Sequence, residues 1–392
     1  MSSSVSELAK PSELVVVLSF ETVDDIVERG FFRPPDRLIR ALAADPATAK
    51  LMVVDPLRSY AGAVVRRLRG RPPARLPAGV DFARLSPRRL ARHDPKDSRS
   101  LVRGYQRYDR MIEAAARRLG LADPTLISFN PLYSGFASSD WTKSSVYYGR
   151  DDWASHPSLQ QRWEALEEAY VRMRDRARPT VAVSQVLLDR LAPTGPGLVL
   201  PNGVDASEWL EPTQPPEWFE SLPRPRLLYL GTLDDRLDTE ALESVAAAVP
   251  EGSVVLVGPT PDGSPVTSLE APNVHRVPHQ QREAVVAATC AADVCLLLHR
   301  RSPLTEAMSP LKLYEYLAGG CPVVATDLEP VRGISDRVLL VGDPADAPQV
   351  TRAAIEMGKA TEESREEFVL ANSWDQRHEV LLGFAATAAR ER

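Results

Sequence analysis

Residues 309–327, SPLKLYEYLAGGCPVVATD, hold a helix, its stop and a buried strand in one short stretch. Ser309 has the side chain of an N-cap, and Pro310 suits the first helical turn. Leu311, Tyr314, Leu317 and Ala318 form one apolar stripe, which leaves Lys312 and Glu315 projecting elsewhere, one turn apart. Gly319-Gly320 ends the helix through a positive φ, and PVVAT (322–326) reads as a strand buried on both faces. A helix opening at Ser309 directs free N–H groups and the positive end of its dipole at one point, an anion site suited to a diphosphate. Glu315 lies further along, where a carboxylate can accept from both hydroxyls of a ribose. A plain Lys312–Glu315 surface pair is the bland alternative. Only 6 of the 47 basic residues are Lys, so a lysine here favours the functional reading.

Working outward, short apolar runs alternate with amphipathic stretches along the whole chain. Strand-like runs occur at 13–20, 51–55, 126–130, 145–148 and 180–184, separated by helical patterns at 35–43, 102–119 and 159–176. A second series follows at 226–231, 253–258, 274–277, 293–298, 322–326 and 338–342. Its helices are expected at 239–248, 282–291 and 311–318. Runs buried on both faces and alternating with helices imply parallel sheets covered on both sides. The fold class is therefore α/β, with two Rossmann-like, doubly wound domains. The proline-rich segment 208–225 is the expected linker between a first domain, 1–207, and a second, 226–372. The helical tail 373–392 is expected to cross back to the first domain. A length of 392 residues suits two such domains.

Composition excludes several classes. No apolar run approaches the roughly 18–20 residues of a membrane helix, and the polar start MSSSVSELAKPSE has no signal-peptide core, pointing to the cytoplasm. Cys290, Cys295 and Cys321 lack paired or metal-type spacing and read as buried thiols. No G-x-G-x-x-G follows the first strand, no Walker A sequence is present, and no D-x-D offers a metal clamp for a diphosphate. The expected metal content is none, and no cofactor is expected.

The net charge of −6 conceals an asymmetry. Residues 58–118 hold 17 Arg and Lys against 5 Asp and Glu, a surplus of 12, so the remainder carries −18. A coding bias toward Arg is one explanation. The other is a basic face for anionic lipid, or for an acceptor bearing phosphate. Nucleic acid is not an expected partner, because no recognition motif is present and few aromatics interleave with the arginines.

Four blocks in order resemble the retaining-type GT-B glycosyltransferases, close to glycosyltransferase family 4 and its relatives. They are SPLKLYEYLAGGCPVVATD; VAVSQVLLDRL…VLPNGVDASEW; LLYLGTLDDRLDTEALESVA; and SVVLVGP…NVHRVPHQQREAVVAATCAADVCLLL. Together they cover about 181–341, whereas the N-terminal half resembles the family only loosely. The resemblance implies two domains facing across a cleft, a nucleoside diphosphate sugar held by the second and an acceptor held by the first. It implies ribose binding by Glu315 and diphosphate binding by Ser309, Pro310, Leu311 and Lys312. Gly231 and Thr232 then approach the diphosphate from the other side, beside Gly258, and Arg236 supplies positive charge. The segment Val277–Gln280, His279 included, reads the base. The family's paired glutamates are offset here: Ala307 stands where the first is expected, and Glu306 is one place away.

The implied activity is transfer of a hexosyl-type unit from a UDP, GDP or dTDP sugar to an acceptor hydroxyl, in glycan, glycolipid or natural-product biosynthesis. A retaining, metal-independent transfer is expected, with the leaving diphosphate taking the acceptor proton and Lys312 and Arg236 stabilising it. An inverting transfer needs a base, for which Asp151 and Asp152 are the candidates by position. The alternatives are a 2-epimerase or phosphorylase of the same fold, or a non-catalytic two-lobed sugar or nucleotide receptor. A cytoplasmic protein is expected, with peripheral contact at the inner membrane face through 58–118.

Overall fold

The computed structural model describes residues 12–61, 74–91, 95, 97–211 and 214–389. The chain divides into two compact units, Met1–Pro201 with His378–Arg392, and Asn202–Arg377.

The first unit is built on a seven-stranded parallel sheet. Its strands are β1 (Glu13–Val17), β2 (Lys50–Val54), β4 (Ala83–Leu85), β6 (Thr125–Ser128), β7 (Ser144–Gly149), β8 (Thr180–Ala182) and β9 (Gly197–Val199). They run in the order β4-β2-β1-β6-β7-β8-β9. A separate parallel ladder pairs β3 (Arg58–Ser59) with β5 (Arg88–Arg89). Strand β1 sits centrally, with Val16 in register with both Val53 and Ile127, and its last four residues are buried. That explains its unbroken apolar run, since neither face meets water. Strands β4 and β9 were not expected. With three residues each (ARL and GLV), they are too short to show a pattern.

The expected helices are present as Pro34–Ala44, Ser98–Arg118 and Trp163–Asp175. Asp97 caps the longest of them by accepting from the Ser100 N–H at 2.8 Å. The C-terminal helix Trp374–Ala388 continues into this unit, where Leu381, Leu382 and Ala385 join its core.

The second unit carries a six-stranded parallel sheet: β10 (Arg226–Leu230), β11 (Ser253–Val257), β12 (Val274–Val277), β13 (Val294–Leu297), β14 (Val323–Thr326) and β15 (Val338–Val341). The order β12-β11-β10-β13-β14-β15 places the first strand beside the fourth, so the winding reverses between β10 and β13. Helices Thr239–Ala248, Arg282–Ala291 and Leu311–Ala318 lie where the periodicity puts them. Cys295 and Cys321 are buried free thiols and Cys290 is a partly buried one.

Segment 208–225 is not a bare linker; it belongs to the second unit. Its prolines break long elements, but two short helices form, Ala206–Trp209 and Glu217–Glu220. Trp209 and Phe219 are both fully buried, and an anchor of that size is worth about 3–5 kcal/mol against alanine. Aromatic burial therefore fixes a segment whose proline content reads as loose chain.

Candidate functional site

Open α/β sheets take ligands at the carboxyl ends of the strands where the winding reverses. In the second unit that point lies just beyond Leu230 of β10 and Leu297 of β13.

Strand β10 runs straight into Gly231, whose φ of +128° suits glycine alone. A Cβ at this position would stand 2.3 Å from the Lys312 Nζ. The next strand ends in Gly258, with φ +147°, where a Cβ would stand 2.1 Å from the Gly231 carbonyl oxygen. Two bare backbone turns thus close on each other above the sheet, their own N–H groups donated to the Val257 and Val277 carbonyls at 2.9 Å each.

Lys312 enters this space from the helix Leu311–Ala318. Its ammonium donates to the Tyr229 hydroxyl at 2.6 Å and lies 4.2 Å from the centre of the same ring, a cation–π contact. Burial, with Arg236 adding like charge, pushes its pKa down to about 7, despite Asp234 and Glu315 nearby. Arg236 is held by a bidentate pair to Asp234, with contacts of 2.7–3.1 Å. That bond keeps the guanidinium charged against its burial. Backbone pairing of Leu237 with His299, and of the Arg300 N–H with the Arg236 carbonyl at 2.7 Å, zips the 232–238 loop onto the end of β13.

His299 was not expected here. Its ring is 1% exposed and sits edge-on to Tyr229 at 6.2 Å. Neither ring nitrogen has a hydrogen-bond partner among the described residues. Burial first, then Lys312 and Arg236, push its pKa down to about 3, so the imidazole is neutral. Nothing in HRR after a buried strand distinguishes such a histidine from a solvated one.

The start of the Leu311–Ala318 helix corrects one expectation. The N-cap is Pro310, not Ser309, and no side chain caps it. The Ser309 Oγ faces the Asn202 N–H at 3.4 Å, and the Asn202 Nδ2 donates to the Ser309 carbonyl at 2.6 Å. The turn PNGVD therefore takes the serine that would otherwise close the helix, and the first N–H groups of the helix keep no side-chain cap.

Glu315 is 6% exposed and pairs through Oε1 with the Arg282 guanidinium at 2.7 Å. Arg282 also donates twice to Glu208, at 2.8 and 2.7 Å, and packs over Trp209. The ribose candidate is thus oriented by an arginine on a different helix, a contact without a sequence signal.

The remaining candidates are dispersed. Thr232 is half-buried, and its carbonyl accepts from Tyr229 at 3.4 Å. The Val277 carbonyl accepts from the Gly258 N–H at 2.9 Å, while His279 is exposed. Glu306, partly buried on the short helix Pro303–Ala307, pairs with Arg301 at 3.0 Å. Asp151 and Asp152 lie in the first unit beyond β7. Asp152 is buried and accepts from the Ala154 N–H at 3.2 Å and from Arg190 at 3.3 Å.

Of the arginine-rich stretch 58–118, residues 62–73, 92–94 and 96 lie outside the described residues. On the helix Ser98–Arg118, Arg99, Arg103, Arg107, Arg110, Arg117 and Arg118 are all exposed, and their spacing puts them on one side. No described helix is long and apolar enough to cross a membrane.

Residues 224–359 match the family model of the glycosyl transferases group 1. A Bacillus subtilis (strain 168) protein, TuaH, whose name assigns it to teichuronic acid biosynthesis as a glycosyltransferase, is 30% identical over 103 residues. The match spans 26% of this chain and 26% of that protein's length. A sucrose-phosphate synthase from Thermosynechococcus elongatus superposes with a TM-score of 0.63 at 16% identity, covering 94% of this chain and 97% of its own. An α,α-trehalose 6-phosphate synthase from Burkholderia multivorans does so at 0.64 and 14%, covering 97% and 100%. Likenesses over nearly full length at such low identity show the fold, the two-domain GT-B architecture that the sequence blocks imply.

Proposed function

From residues 224–359 as a glycosyl transferases group 1 domain, we propose that the protein moves a sugar from a nucleoside diphosphate sugar to an acceptor hydroxyl. The observation that carries the reading is the convergence of the Lys312 ammonium, Gly231 and Gly258 at the reversal point of the second sheet. Glycines allow the backbone to approach a diphosphate, and the lysine supplies the charge that a departing diphosphate needs. Arg236, oriented by Asp234, adds a second cation. Transfer is retaining and metal-independent in this reading, with protein cations doing the neutralising. Both oxygens of Asp152 are already engaged, which leaves Asp151 as the base an inverting transfer would need; the transfer in this reading uses no enzyme base. Glu315, aligned by Arg282, holds the ribose; the uncapped start of the Leu311–Ala318 helix holds phosphate oxygens; 277–280 reads the base.

The first unit takes the acceptor, in glycan or glycolipid synthesis. The exposed arginine row of the Ser98–Arg118 helix contacts anionic lipid, each cation near such a surface contributing about 1 kcal/mol. The donor reading is tested by thermal unfolding with UDP, GDP, dTDP and free sugars. A transferase is stabilised by one of the nucleotides. Stabilisation by sugar alone supports a receptor and overturns the reading.

A further inference from the structure

In the first unit the winding reverses between β1 and β6, and the strand ends there carry an aromatic pair surrounded by arginines. Phe20, just past β1, meets Trp153, just past β7, edge to face with ring centroids 5.1 Å apart. The Arg162 guanidinium lies 5.9 Å from the centre of the Phe20 ring, and that of Arg150 lies 5.9 Å from the centre of Trp153. Arg58 donates to the Phe20 carbonyl at 2.5 Å. The β3–β5 ladder sets Arg89 opposite Ser59, next to Arg58 in the chain.

Like charge is concentrated here. Arg89 is held below its ordinary range by burial first and then by the positive charges of Arg162 and Arg58. Two acids of the same loops are committed elsewhere: Glu21 to Arg29 and Arg33, and Asp152 to Arg190. Two donors are buried with no hydrogen-bond partner among the described residues, the Trp153 Nε1 and the Arg150 Nε. Trp153 itself is 9% exposed. Leaving such donors unsatisfied costs free energy that a bound acceptor atom recovers. Guanidinium forks match phosphate oxygens, and the Trp153 indole, packed against Phe20 and His156, has its N–H to offer a sugar hydroxyl.

We infer that Phe20 and Trp153, with Arg58, Arg89, Arg150 and Arg162, form a subsite for a phosphate-bearing sugar, the acceptor of the transfer. The inference rests on the donor reading above only for the word acceptor; the site itself is an anion and sugar site in its own right. The phosphate comes from a soluble sugar phosphate or from a phosphate-linked glycolipid, and the recognition chemistry is the same.

The test uses the full chain saturated with whichever nucleoside diphosphate binds best, so that its own diphosphate site is filled. Glucose, glucose 1-phosphate and a decyl-phosphate-linked glucose in neutral micelles are titrated by calorimetry. Both phosphate esters should bind at least tenfold more tightly than glucose, and the tighter of the two names the source. That advantage should vanish in Arg162→Gln and in Arg150→Gln, with nucleotide affinity and melting temperature unchanged. Trp153→Phe, which keeps a ring but removes the donor, should weaken both esters severalfold. Equal binding of glucose and the esters, or undiminished ester binding in folded Arg162→Gln and Arg150→Gln, overturns the inference. Should no nucleotide bind while the esters still depend on Arg162, the donor reading fails and this site stands. Nucleotide binding without any preference for the esters removes this site and leaves the donor reading intact.

Discussion

The Lys312 ammonium lies 2.6 Å from the Tyr229 hydroxyl and 4.2 Å from the centre of its ring, directly beneath a glycine that admits no side chain. No carboxylate lies within salt-bridge distance of that nitrogen among the described residues, so no acid pairs with it directly. The acids that shape its field, Asp234 and Glu315, are each paired to an arginine. A buried cation kept in this way is costly without an anion and favourable with one.

Nucleotide affinity should therefore depend on pH. Burial lowers the pKa of Lys312 to about 7 in the unliganded protein, and a bound diphosphate raises it again. Between those two values the complex holds one more proton than the free protein, so affinity falls as pH rises. Calorimetry from about pH 6.5 to 9 should show a dissociation constant that is flat at the acid end and climbs toward tenfold per unit above about pH 7. Proton uptake should appear as a dependence on buffer ionisation enthalpy, and both effects should disappear in Lys312→Met. A flat profile in the wild type would show that Lys312 does not meet the phosphates.

Gly231 and Gly258 should separate function from stability. A Cβ at Gly231 meets the far end of a flexible lysine, whereas at Gly258 it meets the Gly231 backbone at 2.1 Å. Both also force alanine to a positive φ, costing about 1–3 kcal/mol. Gly258→Ala should lower the melting temperature clearly more than Gly231→Ala. Gly231→Ala should displace Lys312 and weaken nucleotide binding at least tenfold while the second unit stays folded. Circular dichroism melts and nucleotide titrations of the two variants decide this; equal melts would contradict the geometry.

The Glu208–Arg282–Glu315 chain makes a graded set of variants. Glu315→Gln should weaken nucleotide binding by about 1.5–3 kcal/mol, the range for a charged hydrogen bond. Arg282→Gln leaves two carboxylates facing each other and should cost stability by about 3–5 kcal/mol as well as nucleotide affinity. Glu208→Gln leaves Arg282 paired with Glu315 and should change nucleotide affinity by less than about threefold, within the small effect of a partly exposed pair. Chemical denaturation paired with calorimetry reads both quantities. Unchanged nucleotide affinity in Glu315→Gln removes that residue from the ribose site.

The arginine row on Ser98–Arg118 should bind acidic vesicles at low salt and release them as ionic strength rises, since screening shortens to roughly 10 Å at 0.1 M. Replacing Arg103, Arg107 and Arg110 together by Glu should abolish co-sedimentation with phosphatidylglycerol vesicles. Equal binding to neutral vesicles would leave the arginine surplus as a matter of composition.

The six strands of the second unit were legible in the sequence because they are continuous apolar runs, and so were three of its helices, whereas Ala347–Met357 and Glu362–Ala371 were not expected. Thr239–Ala248, Arg282–Ala291 and Leu311–Ala318 all stand at their expected bounds. What escaped depends on contacts distant in sequence. Glu315 and Arg282 are 33 positions apart, and no local pattern couples a helix interior to the first residue of another helix. His299 escaped because burial, not sequence, distinguishes it. Ser309 was misread because a serine before Pro310 looks like a cap until Asn202, more than a hundred positions earlier, takes its oxygen. Segment 208–225 misled through its prolines, though Trp209 and Phe219 were the better signal: large aromatics in a proline-rich stretch have to be buried somewhere. In the first unit the arginines gathered near Phe20 and Trp153 come from positions 58, 89, 150 and 162, which only the topology collects.

The central claim is that Lys312 at the end of β10 neutralises the diphosphate of a sugar nucleotide. The most direct measurement compares the affinities of a nucleoside diphosphate and the matching monophosphate for wild type and Lys312→Met, in calorimetry near pH 6.5 where the lysine is charged. The wild type should prefer the diphosphate at least tenfold. Lys312→Met should lose most of that preference while binding the monophosphate nearly as before, about 1.5–3 kcal/mol being the worth of one charged contact. An undiminished preference in folded Lys312→Met would contradict the account.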